Sequence, residues 1–322
     1  MPEPSVLVIT NRGDHTADWL ILELQRRHTQ FLRLNTEDFP ERADLRWHLL
    51  DMPRLTLGDR AASISSVSGV WFRRPVAPRF GPDLSAERVE WIADESREVL
   101  EGLWRTVHAL WVNHPDANRQ ASSKIEQLYR ASRLGLNTPK SLVTNSVEEI
   151  RDFVAIRASV CKPLRSGRIQ LDAQEKLFFT SPLTLDALAQ VPETGREPYL
   201  IQEHVPKRCD VRVTVIGSDL FAAAIDSQSH REARVDWRRG PTRGMTHSPH
   251  ELPAEVADMC LQLTASYGLR FGAIDLALTP DGSYVFFELN PNGQWAWVEQ
   301  ATGLPLRSRL ADLLEGRDRG PE

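Results

Sequence analysis

Apolar and polar positions alternate in twos on both sides of Thr279-Pro280-Asp281-Gly282, as they do along two strands whose side chains point to opposite faces. Pro presets the first central φ of the turn and Gly accepts its left-handed exit, so residues 271–293 are expected to form a β-hairpin. Counting in twos puts Ile274, Leu276, Leu278, Val285, Phe287 and Leu289 on one face. The other face carries Ala273, Asp275, Ala277, Phe286, Glu288 and Asn290. A four-residue loop, 280–283, sets Asp275 opposite Glu288 with Cβ atoms roughly 5 Å apart, whereas a three-residue loop turns Asp275 away. Two carboxylates and a carboxamide among small Ala neighbours suit a hard divalent cation. They equally suit the solvated face of an amphipathic hairpin.

The same reading from the start of the chain gives a strand at 5–10, a helix at about 16–28 and a strand at 31–34, the opening of a parallel sheet. Its first turn, Asn11-Arg12-Gly13-Asp14, lacks the Gly-x-Gly-x-x-Gly of a dinucleotide site. Strand-like pieces at 45–50, 54–57 and 61–64 precede an apolar strand that ends in Trp71-Phe72-Arg73-Arg74-Pro75. Ser85 is placed to cap a long helix to about His108, with Val89, Ile92, Val99, Leu100, Leu103 and Val107 on its apolar stripe. Asn113-His114-Pro115-Asp116 reads as a linker. Ser123 with Glu126, and Ser146 with Glu149, form capping boxes that open two further helices. Strands are expected at 141–144, up to Val160-Cys161-Lys162-Pro163, and at 199–203, with a hairpin whose arms are 211–216 and 220–225. A polar excursion, 227–251, carries five arginines, and helices follow at 253–268 and 305–314.

Composition narrows the class. The 322 residues suffice for two or three packed units, and 41% hydrophobic with 26% charged residues is ordinary for a water-soluble protein. A net charge of −5 provides no basic field for nonspecific nucleic-acid binding, so no nucleic-acid partner is expected. Cys161, Cys209 and Cys260 are odd in number and far apart, which argues for reduced thiols in a cytoplasmic protein rather than a disulfide framework. No apolar run reaches the about 18 residues of a membrane span, and the N-terminus lacks an export signal, so no membrane association is expected.

Lysines are scarce, and two of them sit at element ends: Lys124 in the first turn of a helix, Lys162 at the end of a strand just before Pro. On the 211–216 arm, Asp210 and Arg212 share one face while Val211, Val213 and Val215 take the other. Singly these residues read as solvated surface groups. Together, Lys124, Lys162, Arg212, Asp275, Glu288 and Asn290 are what a nucleoside-triphosphate site needs: cations for phosphate oxygens and oxygens for Mg2+. Neither a Gly-x-x-x-x-Gly-Lys-Ser/Thr loop nor the protein-kinase set is present.

The ordered fragments Ser-Ser-Lys124, Val-Cys-Lys162-Pro, Ile-Gln-Glu203-His-Val, Asp210-Val-Arg212, Gly-Ala-Ile-Asp275-Leu and Glu288-Leu-Asn290-Pro-Asn292 resemble the ATP-grasp superfamily over about residues 118–314. The resemblance implies an α/β N-terminal (pre-ATP-grasp) domain at 1–117. An α+β ATP-grasp fold would follow, with a central subdomain at 118–198 and a C-terminal subdomain at 199–322 clasping ATP. It further implies that Gln202, Glu203, His204 and Val205 form the hinge beside adenine, and that Lys124 and Lys162 meet adenine or phosphates. Asp275, Glu288 and Asn290 would hold Mg2+, and Arg212 would stabilise the transferring phosphoryl group.

Within that superfamily, Trp71-Phe72-Arg73-Arg74-Pro75, Asn113-His114-Pro115, Asp236-Trp237-Arg238 and Asn290-Pro291-Asn292-Gly293-Gln294-Trp295 resemble the graspetide synthetases, the peptide maturases related to microviridin ligases. That resemblance implies a homodimeric ligase acting on a ribosomally made precursor peptide with a leader. Asp or Glu side chains would be activated as acyl phosphates and closed onto Ser or Thr, or Lys, as macrocyclic esters or amides. Asp210, Arg212, Asp236 and Arg238 are the expected catalytic group. The loop over the phosphates, Arg165-Ser166-Gly167-Arg168, departs from the pattern in carrying one glycine. The alternatives are an amino-acid ligase like those that glutamylate ribosomal protein and a binding protein on an inactive ATP-grasp scaffold. His230 is the nearest residue to a general base, and Trp71, Trp295 and Trp297 are expected to pack.

Overall fold

The computed structural model describes residues 5–58, 60–165, 168–171, 174–188, 197–240 and 244–317. The N-terminal unit runs β1 (Val6–Thr10), α1 (His15–Arg26), β2 (Phe31–Asn35), β3 (Ala43–Arg46), β4 (Arg54–Leu57), β5 (Arg60–Ser63), β6 (Gly69–Phe72), α2 (Ala86–Thr106) and β7 (Leu110–Val112). Every residue of β1 and β6 is buried, as in parallel strands covered on both faces. They form the centre of a four-stranded parallel sheet in the order β2-β1-β6-β7. One face packs on α2 and the small antiparallel sheet β3-β4-β5 through Leu7, Ile9, Leu55, Leu103 and Trp104.

The chain continues through α3 (Pro115–Ala121), α4 (Lys124–Arg133), β8 (Ser141–Thr144), α5 (Val147–Ala155), β9 (Ser159–Lys162), β10 (Arg168–Leu171), β11 (Gln174–Leu177), β12 (Ser181–Leu183), α6 (Leu185–Leu188) and β13 (Tyr199–Glu203). Then come β14 (Cys209–Ile216), β15 (Asp219–Ile225), β16 (His247–His250), α7 (Ala254–Ser266), β17 (Phe271–Leu278), β18 (Tyr284–Asn290), α8 (Ala296–Thr302) and α9 (Leu306–Leu314). Beside the two-stranded antiparallel pair β10-β11, two larger antiparallel sheets result, β12-β9-β13-β8 and β16-β15-β14-β17-β18. The second has its core face on α7, where Val211, Val213 and Val215 meet Leu263, Ile274 and Leu276. α9 returns to the N-terminal unit. Leu310, Leu313 and Leu314 share a core with Val6, Val8 and Leu20, and Arg27, the C-cap of α1, bonds Asp312 at 2.5 Å and Glu315 at 2.9 Å.

The capping signals hold. Ser85, Ser123 and Ser146 accept hydrogen bonds from the amides of Arg88, Glu126 and Glu149, satisfying donors that a helix start leaves open. Three expectations need correction. The 45–50 strand stops at Arg46, and Leu49 and Leu50 are exposed. On α2 the buried side is Ser96, Leu100, Leu103 and Trp104, while Val99 is exposed. The supposed linker contains a buried anchor: Asn113 donates to Phe271 O (2.9 Å) and Pro291 O (3.0 Å) and accepts from the amides of Arg270 and Phe271. Its side chain ties the end of β7 to the start of β17, and Pro115 opens a helix instead of a loop.

The hairpin is also built differently from the count in twos. Its turn closes between Thr279 and Ser283, whose N–H···O bond is 2.9 Å, and Gly282 sits at φ +89°. The loop is therefore 280–282, the odd parity that should turn Asp275 away. A β-bulge corrects it: Leu276 pairs Phe286, but Asp275 pairs Glu288, and Phe287 is the extra residue between them. Tyr284 and Phe286 consequently join Leu289 in the core, and Phe287 joins Glu288 on the opposite side, where it lines a cleft.

Candidate active site

Three adjacent strands bring the first charges together. Arg212 on β14 pairs in register with Asp275 on β17, which pairs with Glu288 on β18. Arg212 Nη1 donates to Asp275 Oδ1 at 2.8 Å and its Nη2 to Gln294 O at 3.3 Å. Glu288 is reached from two other elements: Lys124 Nζ lies 3.3 Å from Oε2, and Arg238 Nη1 lies 3.6 Å from Oε1.

Local sequence explains why Lys124 arrives there. One turn later on α4, Gln127 donates to Leu289 O (2.7 Å) and accepts from Leu289 N (2.8 Å). The helix thereby completes the ladder of edge strand β18 and lays Lys124 over Glu288. Asp236 fixes Arg238 by two hydrogen bonds of 2.8 and 2.7 Å and accepts from Thr180 N at 3.1 Å.

The two facing carboxylates diverge electrostatically. Burial drives the Asp275 pKa up, with Arg212 opposing and Glu288 reinforcing the rise. Burial also works against the Glu288 charge, but Lys124, Arg238 and Lys162 outweigh it and hold that carboxyl below the usual range. Lys162 shows the reciprocal effect. Burial, then Lys124 and Arg238, lower its ammonium to about 8, against a pull from Glu288. It stands 4.6 Å from the Phe287 ring, a cation–π distance. Asp210 is raised by burial and offset by Lys207, whose Nζ is 2.7 Å away.

These groups line two adjoining spaces. A narrow cleft is bounded by Lys162, Gln202, Glu203, His204, Val205, Lys207, Asp210 and Phe287. A cavity of about 760 Å³ is bounded by Arg74, Lys124, Arg212, Asn290 and an aromatic wall that includes Trp297. Trp237, Arg238, Asp275 and Glu288 face both, and Asp236 faces the cleft. Every site residue expected from the sequence thus lies on one connected surface. Gln202 is buried and bonds Ser141 Oγ at 2.9 Å, while the Glu203 carboxylate is turned to Lys140 N at 2.8 Å. Asn290 Oδ1 accepts from Asn292 N at 3.0 Å.

Several lining residues escaped the sequence reading. Lys207 lies three residues before Asp210, but no periodicity marks it. Phe287 is invisible to a count that ignores bulges. Trp297 meets Trp237 in a tilted contact at 5.1 Å and His247 at 5.2 Å and lines the cavity, whereas Trp71 and Trp295 are core residues. His230 lines neither space. Ser166 and Gly167 of the single-glycine loop lie outside the described residues. Among the described residues no group of three or more His, Cys, Asp and Glu is arranged to hold a metal, and no helix is long and apolar enough to cross a membrane.

Residues 121–314 match the RimK-like ATP-grasp domain. The chain belongs to the RimK-like ATP-grasp family. Residues 5–119 match the MvdD pre-ATP grasp domain, so this ATP-grasp ligase carries the N-terminal unit that the motifs at Trp71 to Pro75 and Asn113 to Pro115 pointed to. A RiPP-associated ATP-grasp ligase of Chryseobacterium gregarium, solved with ADP and a leader and core peptide, is 28% identical with a TM-score of 0.90, covering 98% of this chain and 97% of that one. The macrocyclase MdnC of Microcystis aeruginosa, solved with precursor peptide MdnA, is 28% identical with a TM-score of 0.86 over 97% and 100% of the two chains. A probable alpha-L-glutamate ligase of Klebsiella pneumoniae is 24% identical over 66% of this chain and 69% of its own length.

Proposed function

We propose that this ATP-grasp ligase is a peptide macrocyclase: it activates Asp or Glu side chains of a ribosomally made precursor as acyl phosphates and closes them onto hydroxyl or amine groups of the same peptide. The observation that carries this reading is the pairing of an MvdD-type N-terminal unit with a RimK-like ATP-grasp domain around a wide, cation-rich cavity that opens beside a narrow cleft. The glutamate-ligase reading shares the ATP-grasp residues. Its relatives match about two thirds of the chain, whereas the peptide-bound ligases match almost all of it.

The division of labour we assign rests on the family resemblance and is supported by where these side chains lie. Adenine lies against Gln202 to Val205, and Lys162 and Lys124 meet phosphate oxygens. Asp275, Glu288 and Asn290 offer two carboxylates and an amide oxygen, the donor set of Mg2+, which binds through one or two carboxylates together with substrate phosphates. Bound there, Mg2+ would neutralise charge on those phosphates. A substrate carboxylate oxygen attacks the γ-phosphorus, the bond to the β–γ bridging oxygen breaks, and ADP leaves. Arg212, held by Asp275, and Arg238, held by Asp236, face the charge that develops. A hydroxyl or amine then attacks the acyl carbon and loses its proton, and inorganic phosphate departs. Keeping both partners in one cavity makes the second attack effectively unimolecular. By resemblance the assembly is a cytoplasmic homodimer. Hydroxylamine added to enzyme, ATP, Mg2+ and an acidic peptide should intercept the acyl phosphate as a peptide hydroxamate. ATP hydrolysis without hydroxamate would refute the acyl-phosphate route.

A further inference from the structure

The N-terminal sheet changes direction at the active site. In the order β2-β1-β6-β7 the chain steps from β1 to β2 on one side, then to β6 and β7 on the other, so the switch point lies between β1 and β6. In open α/β sheets, ligands bind outside the carboxyl ends of the strands at such a point. β1 leads there into Asn11, and β6 leads into Arg73 and Arg74. Arg73 turns inward: it is buried and donates to Asp14 Oδ2 (2.8 Å) and Gly293 O (2.9 Å). Arg74 instead lines the wide cavity together with Lys124, Arg212 and Asn290.

Arg74 reaches that position with φ +46°, a left-handed backbone that Cβ sterics disfavour for every residue except glycine. Such conformations persist where the surroundings over-determine them, and they gather at ligand sites. Here Asn11 Nδ2 donates to Arg74 O at 2.7 Å. On either side, Arg73 N bonds Ile9 O, and Thr36 Oγ1 bonds both the N–H and the C=O of Val76 at 2.8 Å. Glycine would hold this backbone without strain and would lose only the guanidinium. The strain therefore serves the side chain. Arg74 and Arg212 both oppose the charge on Arg73, which Asp14 offsets, so this corner of the site favours an anion.

We infer that Arg74 is a substrate-binding residue whose guanidinium holds the carboxylate of the acidic peptide side chain that is to be activated. This rests on the proposed function. Arg74 borders the wide cavity, away from the hinge and Lys162 of the narrow cleft, and the guanidinium fork matches a carboxylate with two parallel hydrogen bonds; the phosphates on Lys124 share that cavity, and the KM for ATP separates the two occupants. The N-terminal unit then selects substrate as well as supporting the fold.

The test uses N-acetyl-glutamic acid N-methylamide as a minimal peptide carboxylate, with its glutamine counterpart as control and hydroxamate formation as the readout. Arg74→Gly should raise KM for the carboxylate roughly tenfold or more, leave KM for ATP unchanged, and leave the unfolding midpoint equal or higher. Arg74→Lys should recover part of the loss. An unchanged carboxylate KM in Arg74→Gly overturns the inference and leaves the acyl-phosphate reading standing. A KM for ATP that rises in parallel assigns Arg74 to the nucleotide, and a lowered midpoint with both constants worse makes it structural; either overturns it. Wild-type enzyme that forms no hydroxamate from the carboxylate overturns the functional reading and this inference together.

Discussion

Asp275 and Glu288 face each other across β17 and β18 although the turn that joins these strands has the wrong parity for it. The bulge at Phe287 restores the match and adds a residue to the site face, where its ring lies 4.6 Å from Lys162 Nζ and 5.6 Å from Lys207 Nζ. Phe287→Ala should keep the pairing and remove that aromatic seat. A cation–π contact of about 0.5–2 kcal/mol corresponds to an about twofold to thirtyfold rise in KM for ATP, with kcat little changed. Steady-state kinetics with varied ATP would show it; a collapse of kcat alone would contradict it.

Glu288→Gln should lower kcat by roughly 100-fold or more by weakening the Mg2+ and phosphate site. The neutral amide takes from Lys124 its ion-pair partner and from Lys162 the charge that most raises it, so the Lys162 ammonium should titrate below its present value of about 8. Thermal unfolding should shift by only a few degrees. A midpoint far below wild type would make Glu288 a structural residue.

Lys162 predicts a pH dependence of nucleotide binding. Its ammonium titrates near 8 instead of 10.5 in the free protein, and bound phosphate would favour the charged form, raising that value. ATP binding should therefore take up a proton and weaken as pH climbs through 8. The folded value lies below the ordinary one, so Lys162 costs stability below pH 8, and this cost is relieved between pH 8 and 10.5. Titration calorimetry in two buffers of different ionisation enthalpy would detect the uptake. Lys162→Arg should flatten the dependence, and an equally steep curve in that variant would place the titration elsewhere.

Gly293 is fixed by space. A Cβ there would stand 2.2 Å from Ala273 Cβ and 3.0 Å from Arg212 Nη2, so Gly293→Ala must displace its own turn or β17 and crowds Arg212 as well. The expected result is about 1–3 kcal/mol of lost stability together with at least a tenfold loss in kcat. Full activity with lowered stability would show that Arg212 tolerates the displacement.

What was legible in the sequence was whatever repeats or has a short-range cause. Ser123 and Ser146 announced their helices because the cap and its partner lie three residues apart. Lys124, Lys162, Arg212 and Asp275 stand out by their places at element ends and on strand faces and are joined into one site by their order along the chain, while their convergence needs pairings between distant segments, such as Gln127 with Leu289. The bulge at Phe287 was not legible, because turn parity and bulge offset each other and either alone would give the opposite face. Asn113 was read as linker because a lone polar residue before Pro looks solvated; only the sheet that surrounds it supplies its four backbone partners and makes it an anchor. The role of Arg74 depends on a φ value that no side-chain pattern encodes.

Macrocyclisation is read from the mass of a precursor peptide after incubation with this protein, ATP and Mg2+. The expected products are ADP and a peptide lighter by one water for each linkage formed. A peptide that instead gains mass when free glutamate is supplied would contradict it and identify an amino-acid ligase.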